Sequence, residues 1–411
     1  MNVYEAAVQR IEEAIIDHPD FYVSFSGGKD SGVLVHLVLE VATRLNRLPV
    51  KVVFADLEVI FKETERYTRS IMDRPDVEPY WLCLPEIENN ASSVYQRYFR
   101  YWGKDEPCWS RDRPAMPYVI TEDNIPQWLA PYYTHKSVDE WTITRFGEAL
   151  CDKNNTPEII NFIGMRGEES YGRLMNVRSM KHRDKKSPHV YRYVHKDRRT
   201  WICLPMHDWK VADVWHYYAI NDLDYNRVYD AMHRIGIPPH AQRTCFAFGE
   251  EQKKDLYQWC VIEPDTWDRM VYRVAGANFG KMYNHTRINS GKVRKPDNLS
   301  WQAYTEVLLR SLPDEARALF EDKFEIVFRY HRTMYEAKEG IAPEVYIQDS
   351  RKDVVDTMKR TGLSRKYFIS WESLAGAIIR RDFVFKRYGF GYSKKMEERI
   401  ERILSKWEAA L

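Results

Sequence analysis

The chain of 411 residues predicts an α/β fold, a parallel twisted sheet flanked by helices, followed by an all-helical C-terminal region. Three observations predict it. Short apolar runs alternate with amphipathic stretches from residue 3 to 84 in β-α-β-α-β order, the rhythm of right-handed crossovers between parallel strands. The first complete run ends in Ser26-Gly27-Gly28-Lys29-Asp30-Ser31, a glycine turn that opens directly into an apolar, helix-like segment. Beyond residue 250 strand-like runs cease and helical periodicity takes over, punctuated by Gly340, Pro343 and Gly389.

Each element has its own signal. Val3, Ala6, Ala7, Ile11, Ala14 and Ile15 recur at near-helical spacing and predict a helix over 3–17. The run Phe21–Phe25 reads as a strand, 31–45 as a helix, 50–55 as a second strand entered through Pro49, 61–72 as a helix and 80–84 as a third strand. Residues 86–157 break the rhythm with Trp102, Cys108, Trp109, Arg111, Arg113, Pro114, Pro117, Trp128 and Trp141, an insertion with its own aromatic cluster placed to cover a site. Strands resume at 159–163 and 201–204, followed by a helix over 211–219. One domain is therefore expected over 1–250 and a helical one over 251–411, with helices at 264–275, 300–310, 314–338, 350–360, 370–381 and 394–410.

Composition limits the function classes. Sixty-two Lys and Arg against 60 Asp and Glu leave a formal charge of +2, so the whole chain is not a polyanion binder. Any such site is local, and residues 171–200 supply one: ten Lys or Arg against Asp184 and Asp197, an excess of +8. That run suits either a basic loop closing on nucleotide phosphates or a nucleic-acid surface. No run approaches the ~18 apolar residues of a membrane span and the N-terminus has no basic start followed by an apolar stretch, so a cytoplasmic protein is expected. Six cysteines, Cys83, Cys108, Cys151, Cys203, Cys245 and Cys260, without a CxxC pair read as free thiols rather than staples or a metal cluster. Cys245, with Arg243 nearby, is either a thiol lining the site or a small apolar side chain.

The glycine turn carries the chemistry. Backbone N–H groups of such a turn converge on an anion, and the helix that follows adds the positive end of its dipole, so the loop is expected to hold phosphate. The Walker A spacing GxxxxGK[ST] is absent, since Gly27 and Gly28 directly precede Lys29. The string instead resembles the SGGxDS loop of the ATP pyrophosphatase, or adenine nucleotide alpha hydrolase, superfamily. Within it the chain is most similar to the branch of phosphoadenosine phosphosulfate (PAPS) reductases and the small subunit of ATP sulfurylase. Asp56 followed by Phe61-Lys62-Glu63-Thr64 resembles that branch's D-T-x-x-x-F-P-E-T, without the threonine after Asp and the proline before Glu. Gly164-Met165-Arg166-Gly167-Glu168-Glu169-Ser170 with Arg173 resembles its G-x-R-x-x-E-S-x-x-R, and Leu204–Trp209 with Asp213-Val214-Trp215 resembles its P-L-x-x-W-x-x-x-D-V-W.

The resemblance implies the roles. Ser26, Gly27, Gly28 and Ser31 would bind pyrophosphate, Lys29 would add a point charge, and Asp30 would be either a Mg²⁺ ligand or a carboxylate that organises the loop. Asp56 would meet a ribose hydroxyl or the metal, and Gly164 and Arg166 would face the nucleotide. Arg166 and Arg173 would neutralise charge on the α-phosphate. PAPS reductases attack with a thiol in a C-terminal E-C-G-L-H tail, and no cysteine follows Cys260, so ATP is expected in preference to a PAPS-like sulfonucleotide, with adenylylation of an acceptor and release of pyrophosphate. The full length, including Ser370-Trp371 and Leu374, resembles a bacterial PAPS-reductase-like family typified by the immunoglobulin-binding regulator IbrA, which implies a ParB-like protein partner. A nucleic-acid thiolation enzyme using the 171–200 surface, and a nucleotide-binding regulator contacting DNA through residues 350–381, stand as alternatives.

Overall fold

The computed structural model describes residues 2–93, 96, 98–133, 145–169, 190–192, 199–249, 252–283, 293–336, 346–383 and 385. They form two compact units, one of residues 1–88, 98–252 and 256–275 and one of residues 89–97, 253–255 and 276–411. The predicted helix 394–410 lies outside the described residues.

The first unit is built on a seven-stranded sheet in the order β6-β3-β2-β1-β7-β9-β8. Its strands are β1 (Phe21–Phe25), β2 (Val50–Ala55), β3 (Val77–Cys83), β6 (Val119–Thr121), β7 (Ile159–Ile163), β8 (Val190–Arg192) and β9 (Thr200–Cys203). Six are parallel, and the edge strand β8 runs antiparallel to β9. Two further strands, β4 (Glu86–Asn89) and β5 (Tyr98–Tyr101), make a separate pair. The stretch 86–157 is more than an added cover, because its strand β6 pairs with β3 and extends the main sheet by one edge.

Helices α1 (Val3–Asp17), α2 (Lys29–Arg44), α3 (Lys62–Met72), α4 (Phe146–Lys153) and α5 (Val211–Ile220) accompany the sheet. Strand side chains alternate between its faces. On one face Tyr22 meets Phe146 of α4 edge-on at 5.7 Å, within a cluster that includes Tyr80, Leu82, Ile120 and Leu150. On the other, Phe25 meets Tyr67 of α3 at 5.8 Å. Helix α1 opens with a capping box, Asn2 and Glu5 exchanging side-chain and backbone bonds. The segment after β9 ties this helix down: Arg10 donates to the Pro205 carbonyl and to both oxygens of Asp208 at 2.7–2.8 Å, and Trp209 Nε1 donates to the Val3 carbonyl at 2.9 Å. Much of the Leu204–Trp209 motif is thus structural.

Three shorter helices complete this unit, α6 (Val228–Arg234), α7 (Tyr257–Ile262) and α8 (Pro264–Arg273). Trp259 of α7 stacks on Phe61 at 3.7 Å between ring centroids. The second unit is helical, with α9 (Ala277–Tyr283), α10 (Trp301–Arg310), α11 (Asp314–Glu336), α12 (Arg351–Thr361) and α13 (Trp371–Ile379). A two-residue parallel pairing, β10 (Ile347–Gln348) with β11 (Ile369–Ser370), joins the entries of α12 and α13. Phe320, Phe324, Val327, Leu374, Ile378 and Phe385 form its core. Among the described residues no helix is long and apolar enough to cross a membrane.

One half-buried base on α2, His36, makes this fold sensitive to acid. Burial pulls the His36 pKa from 6.5 to about 4, with Arg74 adding to the shift and Asp76 opposing it. The unfolded chain then takes up a proton near pH 6.5 that the folded chain refuses until about pH 4, so stability falls as pH drops through that window. We expect a loss of about 3 kcal/mol from this one group. Urea unfolding of wild type and His36→Gln between pH 7 and 4 checks it: the difference in stability between the two should narrow or reverse toward pH 4.

Candidate functional site

The carboxyl ends of the parallel strands put Ser26, Asp56 and Gly164 on one edge of the sheet, after β1, β2 and β7. Ligands of open parallel sheets lie beyond this edge. Gly27 has φ of +70°, the left-handed region that glycine enters without cost. A Cβ there would also fall 2.6 Å from Thr64 Cγ2. Thr64, the threonine of the Phe61–Thr64 motif, therefore serves as the wall behind the loop. Asn226 locks the other side, donating from Nδ2 to the Gly27 carbonyl and to Thr64 Oγ1, each at 2.8 Å.

The loop closes on itself through Ser31. Its Oγ accepts from the Ser26 N–H at 3.1 Å, lies 2.9 Å from Ser26 Oγ and donates to the Gly28 carbonyl at 3.2 Å. Helix α2 starts at Lys29 with Gly28 as its N-cap, two residues earlier than the sequence pattern suggests, so the loop and the helix N-terminus are one structure. The helix start is buttressed by Tyr218, whose hydroxyl donates to the Lys29 carbonyl at 2.9 Å and contacts the Tyr67 hydroxyl at 3.1 Å. Burial raises the pKa of both phenols, which keeps them protonated. Only glycine fits at position 32, because a Cβ would lie 2.2 Å from the Tyr218 hydroxyl and 2.3 Å from that of Tyr67.

Gly164 has a comparable packing role. A Cβ there would meet the Asp30 backbone and Ser31 Cα at 3.1 Å, so the end of β7 rests directly on the first turn of α2. That contact carries Arg166 to Asp30. Arg166 is buried; its Nε donates to Asp30 Oδ1 at 2.5 Å, and its other nitrogens reach Glu168 at 3.0 Å and Glu169 at 3.6 Å. Lys29 Nζ lies 3.4 Å from the second Asp30 oxygen and donates to the Gln242 carbonyl at 3.1 Å. Two cations thus face three carboxylates. Arg173 and Ser170 lie outside the described residues, as does most of the basic run.

Arg166 and Lys29 together hold the Asp30 carboxylate. Both of its oxygens are engaged by cations, and among the described residues no three His, Cys, Asp or Glu side chains gather as a metal site. The carboxylate is thereby part of the loop's own ion-pair network.

Asp56 has its partners within the protein. It is buried; Oδ1 accepts the Glu58 N–H at 3.0 Å, while Oδ2 accepts Trp81 Nε1 at 2.7 Å and forms a close ion pair with Arg111. Its side chain is fully buried. Glu58, fully buried at φ +61°, works beside it, accepting the N–H groups of Trp102 and Ser110 at 2.9 and 2.8 Å. Arg273 lies 3.6 Å away. Burial raises the Glu58 pKa, against the opposing pull of Arg273 and of those N–H donors. Asp56 and Glu58 together anchor the Trp102–Arg111 segment to the end of β2. Arg111 and Arg113 cover the faces of Trp102 and Trp109 at 5.0 Å, so the aromatic cluster read from the sequence is in part a set of cation–π pairs.

Sequence reasoning missed Tyr229, Gln242, Thr244 and Asn226, which meet the loop from about 200 residues away. No local signal marks them. Cys245 is exposed and its thiol is hydrogen-bonded to Gln252 at 3.1 Å, and none of the six cysteines forms a disulfide.

Fold and loop together define a doubly flanked parallel-sheet domain with a glycine loop between its first strand and the following helix. The model of the phosphoadenosine phosphosulfate reductase domain matches residues 20–242, and a domain of unknown function, DUF3440, matches residues 236–399. The chain belongs to the PAPS reductase family. It is 30% identical over 419 residues to the uncharacterized protein YbdN of Escherichia coli strain K12, spanning 99% of this chain and 96% of that one. Among solved structures it is similar to a PAPS reductase of Candida auris in a phosphate complex, at 15% identity, 55% and 84% coverage of the two chains and a TM-score of 0.30. The FMN adenylyltransferase of Candida glabrata gives 16%, 55% and 58%, with TM-score 0.30. The U34-tRNA thiolase NcsA of Methanococcus maripaludis gives 10%, 68% and 80%, with TM-score 0.30. At these scores the family assignment stands on the sequence matches and on the chain's own topology.

Breaking the Asp56 anchor should cost stability. Asp56→Ala leaves the buried Arg111 guanidinium with Glu65 in place of two carboxylate partners, and we expect a loss of about 3–5 kcal/mol in urea unfolding, with new protease cleavage between residues 98 and 113.

Proposed function

We propose that this chain binds an adenine nucleotide, ATP in the first instance, with its terminal phosphates on the Ser26–Ser31 loop. The single observation behind this reading is the junction at Gly27–Lys29: a left-handed glycine, held from behind by Thr64 and Asn226, delivers the chain into the N-terminus of a 16-residue helix. Backbone N–H groups and the helix dipole there favour a polyanion. The Lys29 ammonium is one contact away and supplies the point charge once it leaves the Gln242 carbonyl.

The reaction we propose is transfer of the adenylyl group. An acceptor nucleophile attacks the α-phosphorus, a new bond to phosphorus forms, the bridging oxygen's bond to the α-phosphorus breaks, and its electron pair leaves with pyrophosphate. The loop's part is to hold the leaving pyrophosphate in place. Asp30 and Arg166 position the loop, since each satisfies the other and Gly164 presses the pair against α2. Magnesium accompanying ATP would be carried on the phosphates, and no step here is assigned to it. A PAPS-like sulfonucleotide would use the same loop with a different terminal group.

A second reading is favoured by the +8 charge excess of residues 171–200: a nucleic-acid acceptor, as for a thiolation enzyme. Co-purifying nucleic acid and steeply salt-dependent binding would select it.

Incubation of the purified chain with Mg²⁺ and α-labelled ATP, beside Lys29→Ala and Asp30→Ala, tests the main reading. AMP or an adenylylated species should appear with pyrophosphate, and both variants should lose about 10²-fold or more in rate. ADP with inorganic phosphate as products, or absence of ATP binding, would remove it.

A further inference from the structure

The residues that meet the loop from a distance do more than support it. Tyr229, at the start of α6, points its hydroxyl at the first turn of α2, where it accepts the Lys29 N–H at 3.1 Å. The same oxygen lies 3.3 Å from Thr244 Oγ1. Both hydroxyls crowd Gly28, at 3.2 and 3.1 Å from the position of a Cβ on that residue. The Lys29 ammonium lies over the Tyr229 ring at 4.9 Å while donating to the Gln242 carbonyl. Tyr229 is held in turn by Trp215, whose ring packs edge-on at 5.6 Å.

Two groups on one lysine are therefore engaged by one tyrosine and its neighbours. The Lys29 N–H belongs to the first turn of α2, where N–H groups have no acceptor within the helix. An anion at this terminus would seek that N–H and the ammonium. The phenol oxygen supplies the acceptor that a phosphate oxygen would supply, and the ring face with the Gln242 carbonyl takes the charge that a phosphate would take.

We propose that the Tyr229 hydroxyl is an internal competitor for the phosphate site, and that a pyrophosphate-bearing ligand binds by displacing it from the Lys29 N–H and drawing the ammonium away from Gln242. The proposal rests on reading Ser26–Ser31 as a phosphate site and adds a residue that sets which ligands can open it. The cost of breaking the internal contact is paid only by a ligand whose phosphates reach the loop, and it lowers apparent affinity by the fraction of molecules in which the contact is formed. AMP, which lacks the terminal phosphates, should not be subject to this competition.

Titration of full-length wild type, Tyr229→Phe and Thr244→Val with ATP, inorganic pyrophosphate and AMP tests it, with thermal unfolding to verify that each variant is folded. Tyr229→Phe keeps the ring and removes the oxygen. It should bind ATP and pyrophosphate about threefold to tenfold more tightly, the equivalent of one lost neutral hydrogen bond, and AMP as wild type does. Thr244→Val, which frees the phenol on its other side, should move both affinities the same way by less, and it serves alone if Tyr229→Phe does not fold. Weaker binding in the variants would mean that the hydroxyls bind phosphate directly, and unchanged binding that they are bystanders; either overturns the proposal while leaving the loop as the phosphate site. If neither wild type nor variants bind pyrophosphate or ATP, the phosphate reading itself fails and this proposal with it.

Discussion

The close approach of three separate elements to the first turn of α2 is the constraint on which the site hangs. The end of β7 rests on it at Gly164, Tyr218 of α5 donates to its carbonyl at Lys29, and Tyr229 of α6 accepts its N–H. Glycine at 32 and 164 makes the approach sterically possible, and the buried phenols satisfy a helix start that would otherwise carry unpaired groups out of water. The sheet fixes where β1 and β7 end, but these contacts fix where the loop points.

Charge around the loop is closely paired. Lys29 and Arg166 stand against Asp30, Glu168 and Glu169, and Arg243 donates to the Glu169 carbonyl at 2.8 Å. Under the proposed phosphate reading, selectivity would rest on the geometry of backbone donors and on rearrangement of Lys29, favouring ligands able to engage several donors together.

Much of this was legible in the sequence, and the reasons are local. Strand, glycine turn and helix are encoded within some twenty residues, so the β1–loop–α2 unit follows from periodicity and from Gly27-Gly28 alone. The identity of Gly164 and Arg166 as neighbours of Asp30 was readable only through the spaced motif that contains them. Asp56 shows the limit: an acidic residue at a strand end has the right address for a ligand contact, but one of its oxygens accepts the Glu58 N–H and the other is taken by Trp81 and by Arg111, 55 residues further on. Tyr229, Gln242 and Thr244 were invisible because nothing in their own neighbourhoods states that they fold back onto residue 28. Nor does aromatic and proline content announce that 86–157 would supply β6 to the sheet.

The anchoring of Trp102–Arg111 has an implication for how such sequences change. Asp56 and Glu58 on one side, and the backbone of Trp102 and Ser110 with the Arg111 side chain on the other, satisfy one another away from water. Exchanging the segment alone, as in a chimera with a relative of different substrate, strands buried charge on the turn after β2, and changing the turn alone strands it on the segment. The two stretches form a single heritable module despite lying about fifty residues apart, and a successful graft would carry both across together.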